Sequence, residues 1–402
     1  MDWRALPCVL ALCLGACSEP SDPEPQDRRP LKAVLFPYIP DAAGDGFASL
    51  EQRLEADFER DHPDIDLDVV FDANLDVYDL EEGGVLNQLL GQGAGAAQVV
   101  EIDTLILGAL VAKGWVQPVA LESGAAHPAA EEAVSISGQS YGVPTYLCSY
   151  VVYSHSANLA FASDGASLVQ VLSDVAPGVR PLAANYSGSW TLPSSYLDAW
   201  ADTNPEGELS QALSLPLDAT ALDSFEEVVK SCELHAGANP CLDGTFADNT
   251  LPEEAFATGQ ANGFMGYTER LFFARRANPS MALPGVISVP LGTGSAPAVF
   301  VDALVVSARC TGTCAEDAQA FTDFMKDPAV RSLIAFSGDA PQGTSPRYLL
   351  QASEAFYQQE PALSDPMYQQ YRAFLDGARP YPNQGFPENR RTLQSALMNA
   401  LQ

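Results

Sequence analysis

LKAVLFPYIPDAAGDGFASLEQRLEADFERDHPDIDLDVVF (31–71) is the stretch from which the fold is read. LKAVLFPYIPD (31–41) is rich in β-branched and aromatic residues and is stopped by Pro40, which predicts a strand. Phe47, Leu50, Leu54 and Phe58 then recur at helical spacing through to Arg60. DIDLDVVF (64–71) alternates polar and apolar residues and predicts a second strand. Working outward, Val85 to Leu90 reads as a short helix and QVVEID (98–103) as a third strand. Thr104 to Lys113 reads as the helix after it, closed by Gly114 as a C-cap. The order β-α-β-α-β-α predicts a mostly parallel sheet with helices on its faces.

The pattern changes at SISGQSYGVPTYLCSYVVYSH (135–155), where a hairpin at Gly138-Gln139 is expected to lead into a long extended stretch. Residues 156–290 carry helical segments such as Leu222 to Cys232, and the strands GFMGY and VISVP. PAVFVDALVVSA (297–308) returns to strand. EDAQAFTDFMKDPAVRSLIAFSG (316–338) is helical, with Phe321, Phe324 and Met325 on one face and a break near Pro328. The tail from Tyr348 to Gln402 reads as helices with Pro- and Gly-rich breaks. No internal repeat is visible.

This order resembles the larger, class II periplasmic binding protein fold: α/β, two-lobed, with ligand in the cleft between the lobes. The resemblance rests on the β-α start, the G-x-x-YGVP hairpin (Gly138 to Pro144) and the later A-x-x-F-x-x-FM-x-x-P helix. It implies crossings near residues 145 and 291. The expected organisation is a signal peptide (1–16), a tether (17–31), one lobe from 32–145 plus 291–345, a second from 146–290, and a C-terminal helical segment (346–402) packed on both. Strand ends and helix N-termini face such a cleft.

Lys and Arg number 20 against 52 Asp and Glu, a net charge of −32, while 47% of the 402 residues are hydrophobic. The apolar share can bury a core, which excludes a wholly disordered acidic chain. The negative charge excludes phosphate-backbone binding, so no nucleic-acid partner is expected. It suits a pocket that attracts cations.

Residues 1–17, MDWRALPCVLALCLGAC, carry a short positive start and an apolar run too brief to span a membrane. Leu14-Gly15-Ala16 before Cys17 resembles the bacterial lipoprotein box, in which that cysteine is lipidated. The linker SEPSDPEPQDRRP then reads as a tether. Export with a lipid anchor as the only membrane attachment is therefore expected. Cys8 and Cys13 leave with the signal. Five cysteines remain, and an exported chain is expected to pair its thiols. Cys232 with Cys241, and Cys310 with Cys314, bracket short loops and read as local staples. Cys148 is left over, either buried and inert or kept free for chemistry.

Several motifs carry less than they suggest. Gly138-Gln139-Ser140-Tyr141-Gly142 matches the G-x-S-x-G elbow, but Val143-Pro144 follows where a helix should begin, so it reads as a hairpin turn. Gly91 to Gly95 is Gly-rich but precedes a strand and reads as a loop. His62, His127, His155 and His235 are scattered without ligand spacing, so no metal site is expected. No histidine lies in a motif that would support a cysteine hydrolase.

Four segments together resemble bacterial thiaminase I, the thiamine pyridinylase family. Lys32 to Asp41 reads KAVLFPYIPD, similar to the family's YPY-x-PD first strand. VVEID ends on Asp103, as the family's third strand ends on an Asp. YGVPTYLC (Tyr141 to Cys148) matches the nucleophile stretch YG-x-P-x-x-LC. FMGYTE (Phe264 to Glu269) matches F-x-GY-[ST]-E. VFVDALVVS supplies Asp302, and RYLLQA (347–352) is similar to the family's C-terminal region. The likeness runs from about residue 32 to 355.

The resemblance implies that Cys148 attacks the aminopyrimidine of thiamine and that Glu269 takes the thiol proton. The thiazole would be displaced by another base or nucleophile, with no cofactor and in a monomer. A thiolate is the nucleophile, and a carboxylate base beside it needs a raised pKa, which a dry cleft provides. Asp103 and Asp302 would attract the thiazolium or bind the pyrimidine amino group. Phe36, Tyr38, Tyr78, Tyr267 and Phe300 are the candidate aromatic walls. Phe36 and Phe300 stand where the family tends to have Tyr. The acidic pair Glu131-Glu132 aligns loosely with another family carboxylate. The alternative on the same fold is a non-catalytic lipoprotein that binds thiamine or a related cation for a transporter.

Overall fold

The computed structural model describes residues 28–92, 96–233, 238–247, 251–289, 291 and 297–402. The expected signal peptide, the expected lipid acceptor Cys17 and most of the expected tether lie outside the described residues. So do His235, Gly93 to Gly95 and most of the segment linking the last two long strands.

Thirteen strands are present among the described residues. They are β1 (Arg29–Leu35), β2 (Ile65–Phe71), β3 (Val99–Asp103), β4 (Ser135–Ile136), β5 (Gln139–Ser140), β6 (Val143–Cys148), β7 (Tyr150–Ser154), β8 (Arg180–Ala183), β9 (Ala261–Tyr267), β10 (Gly285–Ser288), β11 (Ala298–Val306), β12 (Leu350–Gln351) and β13 (Arg379–Pro380). The opening strand ends at Leu35, short of the expected Asp41, because the chain turns through Pro37 into the cleft mouth. The helix Ala48–Asp61 buries Leu50, Leu54 and Phe58, the residues whose spacing announced it.

That helix also closes the sheet edge. Glu51, Glu55 and Glu59, four residues apart, accept the backbone N–H groups of Phe71, Val69 and Leu67 on the edge strand β2 at 2.8, 3.0 and 3.0 Å. Edge N–H groups left open would template pairing with another chain. The short helix expected at Val85 to Leu90 starts at Val85 and runs on as a π-helix over Asn87–Gln92.

One sheet runs β12-β6-β11-β3-β1-β2, with β13 also on β11. The expectation of a mostly parallel sheet holds for β1, β2 and β3 and for the short β11–β13 pair. β11 is antiparallel to both β3 and β6, and β12 to β6, so the sheet is mixed. The reason is the route of the chain: β11 enters from the other lobe and runs back through the sheet. All nine of its residues are buried, as a central strand covered on both faces requires. One apolar layer packs Leu31, Phe58 and Phe321 on one face, and another packs Val34, Ile102 and Leu107 on the other.

The second sheet runs β10-β7-β9-β8. The long extended stretch expected after the hairpin is two strands in two sheets, β6 and β7, with Ser149 between them. The chain passes from one lobe to the other there. The hairpin turns at Ser137-Gly138, both at positive φ, rather than at Gly138-Gln139. No helix follows Ser140, so the G-x-S-x-G match is a turn.

The helix Thr191–Thr203 has no readable stripe because Thr191 to Asp202 are all buried. The predicted helix over 316–338 forms as Thr313–Lys326 and Pro328–Ala335, parted at Pro328. Of the tail, β12 and β13 join the large sheet, and the helix Phe386–Leu401 packs on Thr191–Thr203. Cys232 is bonded to Cys241 and Cys310 to Cys314; Cys148 is free.

Candidate active site

Four strand ends build the site. β3 ends on Asp103, β6 on Cys148 and β9 on Tyr267, while β11 begins beside them. The register places Asp302 opposite Asp103 and Phe300 opposite Cys148. Side chains two apart on a strand share a face, so Tyr146 joins Cys148, and Asp302 joins Phe300. Together they line a cleft with about 1050 Å³ of empty space. Every residue expected to act there lines this one cavity: Cys148, Glu269, Asp103 and Asp302, with the rings of Phe36, Tyr38, Tyr78, Tyr267 and Phe300.

The Cys148 thiol is half-buried and donates to Asp302 Oδ2 at 4.0 Å. Burial pushes its pKa well up, and the negative charges of Asp302, Glu269, Asp103 and Glu101 push it further. The resting group is therefore a thiol, and a nucleophile would have to be made by proton removal. The resemblance implied that Glu269 receives this proton, but the thiol's hydrogen-bond partner here is Asp302.

Glu269 follows β9 and precedes the helix Arg270–Ala277. It is 8% exposed, and its Oε2 is buried with no hydrogen-bond partner among the described residues. Burial raises its pKa to about 7, with Arg270 opposing. Arg270 is itself ion-paired with the buried Glu253, so its charge is shared. What remains is a carboxyl group poised near neutrality, with an unengaged oxygen in the cavity wall.

Asp103 accepts from Leu105 N–H at 3.0 Å and from Tyr78 OH at 3.0 Å. Burial still raises it to about 7. Burial, then the Asp103 charge opposite, raises Asp302 well above the carboxylate range. Two carboxyl groups on paired positions of neighbouring strands resist double ionisation, and Asp302 is the one that keeps the proton.

A group whose folded pKa is raised contributes stability that is full below its unfolded pKa of 3.8 and is lost as pH rises through about 7. Asp103→Asn keeps an acceptor for Leu105 N–H but cannot ionise. It is expected to raise stability by about 1–2 kcal/mol at pH 8 and to change little near pH 4, where Asp103 is protonated. Thermal melts at the two pH values check this.

The aromatic walls are braced from behind. Tyr267 stacks on Tyr150 at 4.4 Å with their hydroxyls 3.0 Å apart, and Phe300 stacks on Tyr381 at 4.0 Å. Phe36 meets Tyr38 edge-on at 4.6 Å, and Tyr38, 56% exposed, stands at the mouth. Tyr78 meets Trp190 at 4.7 Å.

Sequence reading missed Tyr146, Trp190, Thr191 and Arg270, which also line the cavity. Tyr146 was within reach, two residues before Cys148 on one strand; Trp190 follows a Ser-Gly-Ser loop that carries no pattern. Glu131-Glu132 does not line the cavity: Glu131 accepts from Gly124 and Ala126 N–H and closes its own turn. No cluster of metal-ligating side chains is found among the described residues.

Two lobes joined through Ser149 around a carboxylate- and ring-lined cleft define a type II periplasmic-binding-type protein. Residues 48–363 match the model of the bacterial extracellular solute-binding protein family, and the chain belongs to that family. Membership makes it an exported protein. Among solved structures, thiaminase I of Clostridium botulinum in complex with thiamin is similar at TM-score 0.70 and 18% identity, over 92% of this chain and 99% of that one. Thiaminase I from Bacillus thiaminolyticus is similar at TM-score 0.69 and 18% identity, over 93% and 100%. Maltose-bound MalE3 of T. maritima is similar at TM-score 0.69 and 14% identity, over 92% and 95%. These likenesses show the shared fold. No curated protein matches in sequence.

Proposed function

We propose that this protein is a thiamine pyridinylase, a base-exchange transferase acting at the methylene bridge of thiamine. The observation that carries the reading is the unbridged Cys148 thiol in the interlobe cleft, with Glu269 in the same wall poised near neutrality. A carrier needs neither group. The solved thiaminase I structures support the reading through their fold, and the Clostridium protein's bound thiamin supports the choice of ligand.

In this reading Glu269 removes the Cys148 proton and Sγ adds to the pyrimidine ring. The bond from the methylene carbon to the thiazolium nitrogen breaks, and the thiazole leaves with that electron pair. An incoming base then bonds the methylene carbon, aniline giving up its N–H proton to a cleft carboxylate and pyridine giving up none and remaining as the pyridinium. The Cys148–ring bond breaks to release product, the sulfur regaining its proton from Glu269. Covalent addition divides one hard displacement into easier steps. Asp302 holds the thiol in line, and Asp103 with the aromatic walls takes the cationic, planar substrate. The chain would act as a monomer, without cofactor, tethered to the cell envelope through a lipidated Cys17 after loss of residues 1–16. The expected division into 32–145 with 291–345, and 146–290, would shift its first crossing to Ser149, and 346–402 would add β12 and β13 to the large sheet while its helices pack on the lobes.

The second reading, a solute-binding lipoprotein for thiamine or a related cation, is favoured by family membership and by a thiol that rests protonated. Intact-mass measurement after thiamine exposure separates the two. A pyrimidine adduct on Cys148, with thiamine consumed when pyridine or aniline is added, is the expected result. Tight thiamine binding by calorimetry with no adduct and no turnover would leave only the carrier.

A further inference from the structure

The helix Phe386–Leu401 presents Phe386, Arg390 and Gln394 at four-residue steps, which is one row on one face. All three residues meet the loop that carries Trp190. Gln394 Nε2 donates to Ser187 O at 2.6 Å, and Arg390 Nη1 donates to Ser189 Oγ. The Arg390 guanidinium lies 4.2 Å from the Trp190 ring centroid, and the Phe386 ring lies 5.7 Å from it. Gly188 lets the loop turn this tightly, since a Cβ there would come within 2.6 Å of Thr191 Oγ1.

Trp190 belongs to the lobe of the second sheet, and the ring it meets at 4.7 Å, Tyr78, belongs to the other lobe. Tyr78 is fixed in turn by its hydroxyl on Asp103. Both rings line the cavity, whereas Arg390 does not. A continuous series of contacts therefore runs from the C-terminal helix, through Trp190 and across the opening, to a cleft carboxylate.

We propose that Trp190 and Tyr78 form a gate over the cleft, and that Arg390 is a positioning residue that holds Trp190 closed against Tyr78 from outside the cavity. The planar guanidinium suits this task, because it covers an indole ring while one of its N–H groups anchors the loop. The gate governs access to the site proposed above, whether that site turns thiamine over or only binds it.

The test uses the full chain and iodoacetamide, with alkylation of Cys148 followed by peptide mass over a pH series so that other cysteines do not contribute. Losing a partly exposed cation–π contact together with the Arg390–Ser189 hydrogen bond shifts a two-state opening by about tenfold. Arg390→Ala is accordingly expected to speed alkylation about tenfold at every pH without moving the midpoint, and Arg390→Lys to fall in between. Tyr78→Leu, made from the opposite lobe, is expected to speed alkylation similarly, and the double variant to go no faster than either single one.

A folded Arg390→Ala protein alkylated at the wild-type rate would overturn the gate. A shifted midpoint, or rates that multiply in the double variant, would also overturn it. Should Arg390→Ala fail to fold by circular dichroism, Tyr78→Leu decides alone, and an unchanged rate there rejects the proposal. Iodoacetamide requires no thiamine, so this result stands apart from the adduct measurement.

Discussion

Cys148→Ala is expected to remove the thiamine adduct entirely and to lower turnover by about 10⁴-fold or more, the scale on which deleting a covalent nucleophile acts. Thiamine affinity should change by no more than about threefold, because the recognising groups (Asp103 and the ring walls) remain in place and a neutral thiol contributes little to holding a cation. Fold stability should hold as well. The sulfur packs against the core but also lines the cavity, so its loss enlarges that existing space rather than opening a separate void. Turnover and calorimetry on one preparation separate these effects. If the alanine variant kept wild-type turnover, Cys148 would not be the nucleophile.

Glu269→Gln is expected to lower kcat by about 10² to 10⁴, the range for a lost general base. The pH profile carries more information than the magnitude. A base works only when ionised, and Glu269 is half-ionised at about pH 7. Wild-type kcat should therefore climb through pH 7 and level off above it. The glutamine variant should lose that limb and rise only at higher pH, where the thiol ionises unaided; burial and the three remaining carboxylates, Asp302, Asp103 and Glu101, hold that ionisation above the ordinary thiol range. Asp302→Asn is the control. Asp302 is the hydrogen-bond partner of the thiol, so a limb that survives Glu269→Gln and disappears in Asp302→Asn would move the base role to Asp302.

The two carboxyl groups show how far one-dimensional reading reaches. Asp103 and Asp302 are singled out by the resemblance to thiaminase I, and the rule that strand ends face the cleft in this architecture supports placing them there. Nothing in either segment says that they sit opposite each other. That pairing comes from β11 running antiparallel between β3 and β6, the feature that the β-α-β-α-β-α pattern did not foresee. Periodicity reports which face of a strand is buried, not which strand lies beside it or in which direction. The missed residues follow the same logic. Tyr146 was legible from its two-residue offset to Cys148, whereas Trp190 is placed by a helix some 200 positions away, through Arg390 and Phe386.

The opening order of strands and helices (31–113), the cysteine left over after two short staples and the acidic charge were determined by the sequence alone. Each is a local property: a hydrophobic period, a spacing or a composition. Tertiary structure alone decided that Cys148 rests on Asp302 rather than Glu269, that burial lifts Glu269 and Asp103 to about pH 7, and that Trp190 meets Tyr78 across the opening. These depend on desolvation and on distances between distant segments, which arise only when the chain closes two lobes around one cleft.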